Sequence, residues 1–222
     1  MDVGIPESTA RAIAFTFGAV LAGTFLAGFL VGSIPFGYIL GRLFYHTDIR
    51  KQGSGNIGAM NALRTLGKTG AAAVLLLDAL KGFAPVFGFA LYAHWMDPDI
   101  KAVILAIIAA GAILGHCYSP WLKFKGGKGV ATSFGAIFGL CWPAGLVAVA
   151  GWIAGAAITQ YSSVGSMLGS VLVPIALWFF TGSIPETAYG VFAAILVVFK
   201  HRENIARIRA GTEGPIRLSK RR

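Results

Sequence analysis

The chain has 222 residues, of which 56% are apolar and 13% charged, about half the roughly 25% charge of an average soluble domain. It has room for several membrane spans and none for a separate soluble domain, so it reads as one membrane-embedded domain over 1–222. The formal net charge of +10 does not mark a nucleic-acid binder. Lys and Arg gather at 42–68, 123–128 and 200–222 without a soluble basic face carrying interleaved aromatics, and cytoplasmic loops of membrane proteins collect the same residues.

Asp2 and Glu7 precede the first apolar run, so the N-terminus lacks the cationic region of an ordinary signal peptide. That run, about Arg11 to Leu40, is long enough to span. Gly32-Ser33-Ile34-Pro35 is expected to kink it, because Pro35 removes a backbone donor. Gly18, Gly23, Gly28 and Gly32 point to close helix packing. The loop at 42–68 carries Arg42, Arg50, Lys51, Arg64 and Lys68 and is placed in the cytoplasm. Its stretch Gly53-Ser54-Gly55-Asn56-Ile57-Gly58-Ala59-Met60-Asn61-Ala62-Leu63-Arg64 is the longest polar, glycine-rich segment of the chain. Glycines allow close backbone approach; Ser54, Asn56 and Asn61 offer neutral hydrogen-bond groups, and Arg64 a planar fork for phosphate or carboxylate.

A second span, about Thr69 to Ala93, carries Asp78 and Lys81 on one helical face, either an orienting ion pair or a functional pair. His94 to Asp99 is a short acidic turn placed outside. His94 and Asp99 have the spacing of a thioester-using acyltransferase motif, but they lie away from every basic cluster. A third span, about Ile100 to Leu114, leads into the basic loop Trp121 to Gly129. The region 130–159, interrupted at Cys141-Trp142-Pro143, is read as two short helices, about 130–141 and 143–159, with one long tilted helix as the alternative. Spans at about 164–181 and 187–199 follow, then the basic tail from about 201 to 222.

If both the second basic loop and the tail are cytoplasmic, the number of crossings between them is even. The two-helix reading satisfies this and the single helix does not. The expectation is an all-α integral membrane protein with seven transmembrane helices, some of them short, the N-terminus outside and the C-terminus cytoplasmic. Cys117 and Cys141 then fall on opposite sides of the bilayer and form no disulfide, and His116-Cys117 alone makes no metal site.

In this topology three polar clusters share the cytoplasmic face: Gly53 to Arg64, His116 to Thr132, and Lys200 to Arg209. Tyr161 to Ser166 joins them. Lys123-Phe124-Lys125-Gly126-Gly127-Lys128-Gly129 has the composition of a phosphate cradle at a helix N-terminus, and equally that of a basic loop resting on lipid phosphates. It is not a Walker loop, and no metal or nucleotide cofactor is expected. His201 and Asn204 share a helical face, either as proton handlers or as interfacial hydrogen-bonders, on a segment taken to continue the last helix. An anion transporter would also be rich in basic loops, but here the polar residues crowd at one face and no inverted repeat is evident.

Three motifs occur in a fixed order: Asp48-Ile49-Arg50-x-x-Gly53-Ser54-Gly55-Asn56-x-Gly58-Ala59-x-Asn61-x-x-Arg64-x-x-Gly67, then Phe124-Lys125-Gly126-Gly127-Lys128-Gly129-Val130-Ala131-Thr132, then His201-Arg202-x-Asn204-Ile205-x-Arg207. In these motifs, from about Gly32 to Glu213, the chain resembles the bacterial acyl-phosphate:glycerol-3-phosphate acyltransferases, the PlsY family. The resemblance implies transfer of a fatty acyl group from acyl phosphate to the sn-1 hydroxyl of glycerol 3-phosphate, giving lysophosphatidic acid and inorganic phosphate. It implies a multi-pass protein of the bacterial cytoplasmic (inner) membrane with a cytoplasm-facing site and no cofactor. Its partners are the two substrates and membrane lipids.

Carried over by resemblance, His201, Asn204, Ser54 and Arg64 are the catalytic candidates. Gly53, Asn56, Asn61, Lys125, Gly126, Gly127, Lys128, Gly129, Ser163 and Ser166 are the candidate substrate- and phosphate-binding residues. One phosphate is assigned to Lys128 and the amides of 126–129, the other to Arg64 and Ser54. Two positions depart from the pattern: Met60 stands where Thr is usual and Gly165 where Ser is, and both are expected to bear on substrate fit.

Overall fold

A computed structural model describes residues 6–216; Asp2 and the tail cations Arg217, Lys220, Arg221 and Arg222 lie outside the described residues. Within them the regular structure is helical: α1 (Glu7–Ser33), α2 (Phe36–Phe44), α3 (Ala59–Thr65), α4 (Gly67–Tyr92), α5 (Pro98–Cys117), α6 (Val130–Leu140), α7 (Trp142–Thr159), α8 (Ser162–Thr181), α9 (Ile184–Lys200) and α10 (Arg202–Arg209), with one-turn 3-10 helices at Ile49–Lys51 and Pro120–Leu122. Five stretches are long and apolar enough to cross a membrane: Glu7–Phe44, Gly67–Tyr92, Pro98–Leu122, Trp142–Thr159 and Ser162–Thr181. A sixth, Ile184–Lys200, qualifies together with α10, across a 52° bend. The remaining apolar helix, α6, has 11 residues. Of the seven expected spans, five therefore have the length and hydropathy of a crossing, a sixth has them only together with α10, and α6 falls short.

Lipid offers no hydrophobic drive for helix association, so close packing has to come from small residues. Buried side chains run the length of α5, the central helix. A side chain at Gly28 or Gly32 of α1 would strike the α5 carbonyls of Ile108 and Ala112. Gly111 and Gly115 of α5 meet Phe25 and Phe29 of α1 in the same way. Gly18 and Gly23, grouped with them in the sequence, have nothing within 4 Å among the described residues and do not take part. Gly82 and Gly135 join α4 to α6, and Gly151, Gly155, Gly165 and Gly169 join α7 to α8. Gly165 faces the Trp152 carbonyl, so its departure from the expected Ser belongs to helix packing and not to substrate fit.

Three breaks place the functional loops. At Pro35 the first apolar run is interrupted between α1 and α2 while remaining one stretch, as the expected kink requires, and the backbone oxygens there are taken up by neighbours. Ser119 donates to the Ser33 carbonyl at 2.7 Å, and Lys81 to the Ile34 carbonyl at 2.8 Å. Trp121 donates to the Ser33 hydroxyl at 2.9 Å. Satisfying such groups inside the protein is what makes broken helices tolerable at membrane depth. At Cys141 the backbone is extended (φ −152°, ψ 102°) and separates α6 from α7, as the two-helix reading expected. The third break corrects an expectation: His201 does not continue the last helix. Its amide is shared between the Val197 and Val198 carbonyls, its ψ of 7° leaves the helical range, and α10 sets off at 52° to α9.

Candidate active site

The first loop is held together by its own side chains. Asp48 caps the turn at Ile49–Lys51 and receives Arg50 Nη2 at 2.7 Å, while Arg50 stacks over Tyr38 at 4.4 Å. The Arg50 hydrogen bond holds the Asp48 carboxyl down at about 2. Asn61 is 2% exposed and its amide is fully engaged. Its oxygen accepts from the Ser54 amide at 2.8 Å, and its nitrogen donates to the carbonyls of Ile49 (2.7 Å), Gln52 (3.2 Å) and Asn56 (2.8 Å). Gly53, at φ +57°, lies so close to that amide oxygen that only glycine fits. Asn61 thus staples the loop. Asn56 uses its side-chain oxygen locally, on the Gly58 amide at 2.8 Å. Within Gly53 to Arg64 the exposed residues that carry a side chain are Ser54 and Arg64; Arg50, Lys51 and Gln52 are exposed just before it.

The second loop closes onto the end of α5. Gly126 N–H donates to the Cys117 carbonyl at 3.2 Å and Gly127 N–H to the His116 carbonyl at 3.0 Å. These two amides are therefore engaged by the fold. The donors remaining for an anion here are Lys128, the amides of 128 and 129, and the first turn of α6, whose N-terminal amides have no intrahelical acceptor. Gly129, at φ +84°, caps α6 without a side chain and lies against Ile113 and Cys117. Lys125 is exposed.

The third element sits where α9 meets α10. The His201 ring is buried, 3% exposed, with Nδ1 2.8 Å from the Val197 carbonyl. That contact places the ring proton on Nδ1 and leaves Nε2 as an acceptor. Asn204, 7% exposed, accepts from Lys128 through its side-chain oxygen. Beyond α10 the chain turns back at Gly211 (φ +68°) and runs as a strap, with Thr212 N–H on the Arg207 carbonyl at 2.8 Å and Ile216 N–H on the Gln160 carbonyl at 2.8 Å.

From this strap Glu213 enters the site with its side chain 7% exposed. Its carboxylate accepts from Ser163 Oγ (2.9 Å), Asn204 Nδ2 (2.6 Å) and Arg207 Nε (2.7 Å). The Arg64 guanidinium lies beside Gly214, next along the strap.

The electrostatics follow from this crowding. Burial, then the nearby Arg207 charge, pull the Lys128 ammonium down to about 8. Burial and the Lys128 charge pull His201 down to about 4, so its imidazole is neutral at pH 7. Burial pushes the Glu213 carboxyl up, but hydrogen bonds from Asn204, Arg207 and Ser163 more than offset this, and the net shift is downward.

Of the residues picked out in the sequence, Lys128, Asn204, His201, Ser163 and Arg64 come together. Ser54 stands on the first loop's outer side. Ser166 points back to the Ser162 carbonyl at 2.8 Å, and Asn61 serves its own loop. His94 and Asp99 lie at the far turn, between α4 and α5, where Asp97 caps α5. Sequence reasoning missed Glu213 as the hub and Arg207 as its partner. The available signal was an acid in an otherwise cationic tail, just after the turn residue Gly211.

The sequence of the family described as Glycerol-3-phosphate acyltransferase matches residues 10–211. A Glycerol-3-phosphate acyltransferase of Mesorhizobium japonicum is 50% identical over 202 residues, 90% of this chain and 97% of that protein. One from Brucella suis is 46% identical over 200 residues, covering 90% and 95%. Among solved structures, the crystal structure of PlsY (YgiH), an integral membrane glycerol 3-phosphate acyltransferase in its glycerol 3-phosphate form, superposes with a TM-score of 0.81 at 31% identity, covering 88% of this chain and 95% of that one. Its lysophosphatidic acid form gives 0.78 at 30%, covering 88% and 94%.

Proposed function

The chain belongs to the glycerol-3-phosphate acyltransferase family, and from that premise we propose how its site works. The enzyme is a multi-pass membrane acyltransferase that acylates glycerol 3-phosphate to lysophosphatidic acid. The acyl donor is an acyl phosphate, and the acceptor is the sn-1 hydroxyl. An acyl phosphate is a mixed anhydride with a good leaving group, so direct attack by the hydroxyl needs orientation and anion stabilisation more than a protein nucleophile. The residues at hand suit that division. Lys128, Asn204, Arg207, Ser163 and the start of α6, next to His201, bind the phosphate of glycerol 3-phosphate; Arg64 and Ser54 reach toward that of the acyl donor from the first loop.

His201, neutral and with Nε2 open, accepts a hydrogen bond from the glycerol end. With its proton affinity reduced to about 4 it orients the hydroxyl, and a substrate phosphate oxygen takes the proton. The observation that carries this reading is the convergence of three segments at one carboxylate: Ser163 of α8 and Asn204 and Arg207 of α10 donate to Glu213, and Lys128 of the second loop joins them through Asn204.

The same reading places the site on the cytoplasmic side of the bacterial inner membrane, with seven crossings, the N-terminus outside and the C-terminus inside. It rests on the basic residues of both loops and of the tail and on the four helices α6 to α9 between them. The deciding experiment offers purified protein in detergent glycerol 3-phosphate with acyl phosphate or with an acyl thioester. Inorganic phosphate and lysophosphatidic acid released together, from the first donor alone, are the expected result. Turnover with the thioester alone sinks the donor assignment.

A further inference from the structure

Beneath the phosphate loop lies a buried group that the reaction itself does not call on. Asp78 and Lys81 of α4 and His116 of α5 are 2%, 3% and 3% exposed. Lys81 Nζ is 2.7 Å from Asp78 Oδ1, and His116 Nδ1 is 3.7 Å from the same oxygen. Lys81 also holds the Ile34 carbonyl at the α1–α2 break. On its other edge the His116 ring meets the second loop: a Cβ built on Gly127 would land on the ring at Nε2. The Gly127 amide is meanwhile tied to the His116 carbonyl at 3.0 Å. Gly127 thus rests directly on the imidazole, and the next residue is Lys128.

We propose that His116, buried beside the Asp78–Lys81 pair, is a positioning residue for Lys128: its ring is the floor on which Gly127 lies, and it sets the height at which the Lys128 ammonium meets substrate phosphate. The ring touches no substrate and exchanges no proton in this role. The Asp78–Lys81 pair packs beside the ring, with Asp78 Oδ1 3.7 Å from Nδ1, beyond hydrogen-bond reach. The bond from Lys81 to the α1–α2 break ties that floor to the first span.

The proposal rests on the reading of Lys128 as a phosphate ligand, and its test separates the two. Gly127→Ala pushes the loop off the ring and is expected to raise KM for glycerol 3-phosphate ~10-fold or more, in line with the cost of displacing a positioning group by about an ångström. His116→Ser lowers the floor and raises KM less. Combining them puts the new methyl group into the vacated space, so the double variant is expected to regain roughly 5-fold in KM over Gly127→Ala, the non-additivity expected of residues in contact. KM changes that simply multiply overturn the proposal.

Thermal unfolding of each variant in detergent accompanies the kinetics. If Gly127→Ala does not fold, His116→Ser alone carries the test. It leaves the loop sequence intact and removes the ring, and a folded protein with unchanged KM refutes the floor. Lys128→Ala is the separate arm: an unchanged KM there removes Lys128 as a ligand, whatever the size exchange shows.

Discussion

Lys128 holds its charge under strain. Burial has brought its ammonium down to about 8, so the empty site loses that charge as pH rises through 8, well below the ordinary lysine range. Apparent KM for glycerol 3-phosphate is therefore expected to climb above pH 8. Binding of a phosphate dianion restores the proton, so calorimetry in two buffers of different ionisation heat should register proton uptake there. Glu213 pushes in the opposite direction, since its negative charge favours the protonated Lys128. Glu213→Gln should move the alkaline limb to lower pH; a limb that stays in place would mean that Glu213 does not act on Lys128 through its charge. Arg64 tests geometry. Arg64→Lys keeps the charge but removes the two-pronged donor, and a loss of ~10-fold or more in kcat/KM is expected, the order of one lost charged hydrogen bond.

Asn61 shows how residue type can mislead. An amide beside glycines in a polar loop reads as a ligand, and only the fold reveals that its groups are spent on the chain itself. Glu213 is the reverse case: its importance depends on a chain reversal that no local pattern announces.

At the level of elements, the breaks were legible where chemistry forces them. Pro35 and Cys141-Trp142-Pro143 punctuate apolar runs, and the structure interrupts both. The bend at His201 has no proline or glycine to mark it; it comes from an amide divided between two carbonyls and a ring turned inward. Glycine spacing was a partial guide, because it could not say which glycines face a neighbour. Gly32 does and Gly18 does not. Gly32→Leu should therefore lower the thermal midpoint in detergent, with an overpacking cost of about 1–3 kcal/mol, while Gly18→Leu leaves it nearly unaltered. Equal effects from the two would contradict the packing of α1 on α5.

Across the whole molecule, composition was enough to place the chain in a membrane, and the basic clusters were enough to gather the polar loops on one side. What the sequence lacked was the reach between distant segments: Glu213 bonded to Ser163, Lys128 to Asn204, Lys81 to Ile34. Side sidedness is open to direct measurement. Cysteines at 95 and at 124, both exposed positions, placed in a background without Cys117 and Cys141, should label from opposite sides of sealed membrane vesicles. Labelling of both from one side would overturn the proposed topology.

The shortness of α6 fixes something about depth. Its 11 residues cover about 16 Å at 1.5 Å per residue, roughly half of a hydrocarbon layer about 30 Å thick. Trp142, exposed at its far end, suits one membrane surface, as interfacial tryptophans do. On the topology proposed above, the helix start beside Lys128 would lie well below the opposite headgroups. Chemistry at that level spares the greasy partner a climb and requires the small, water-soluble one to descend. On that topology the recess would bring glycerol 3-phosphate down to the depth of the lipid tails, and the lysolipid formed there would already have its chain immersed.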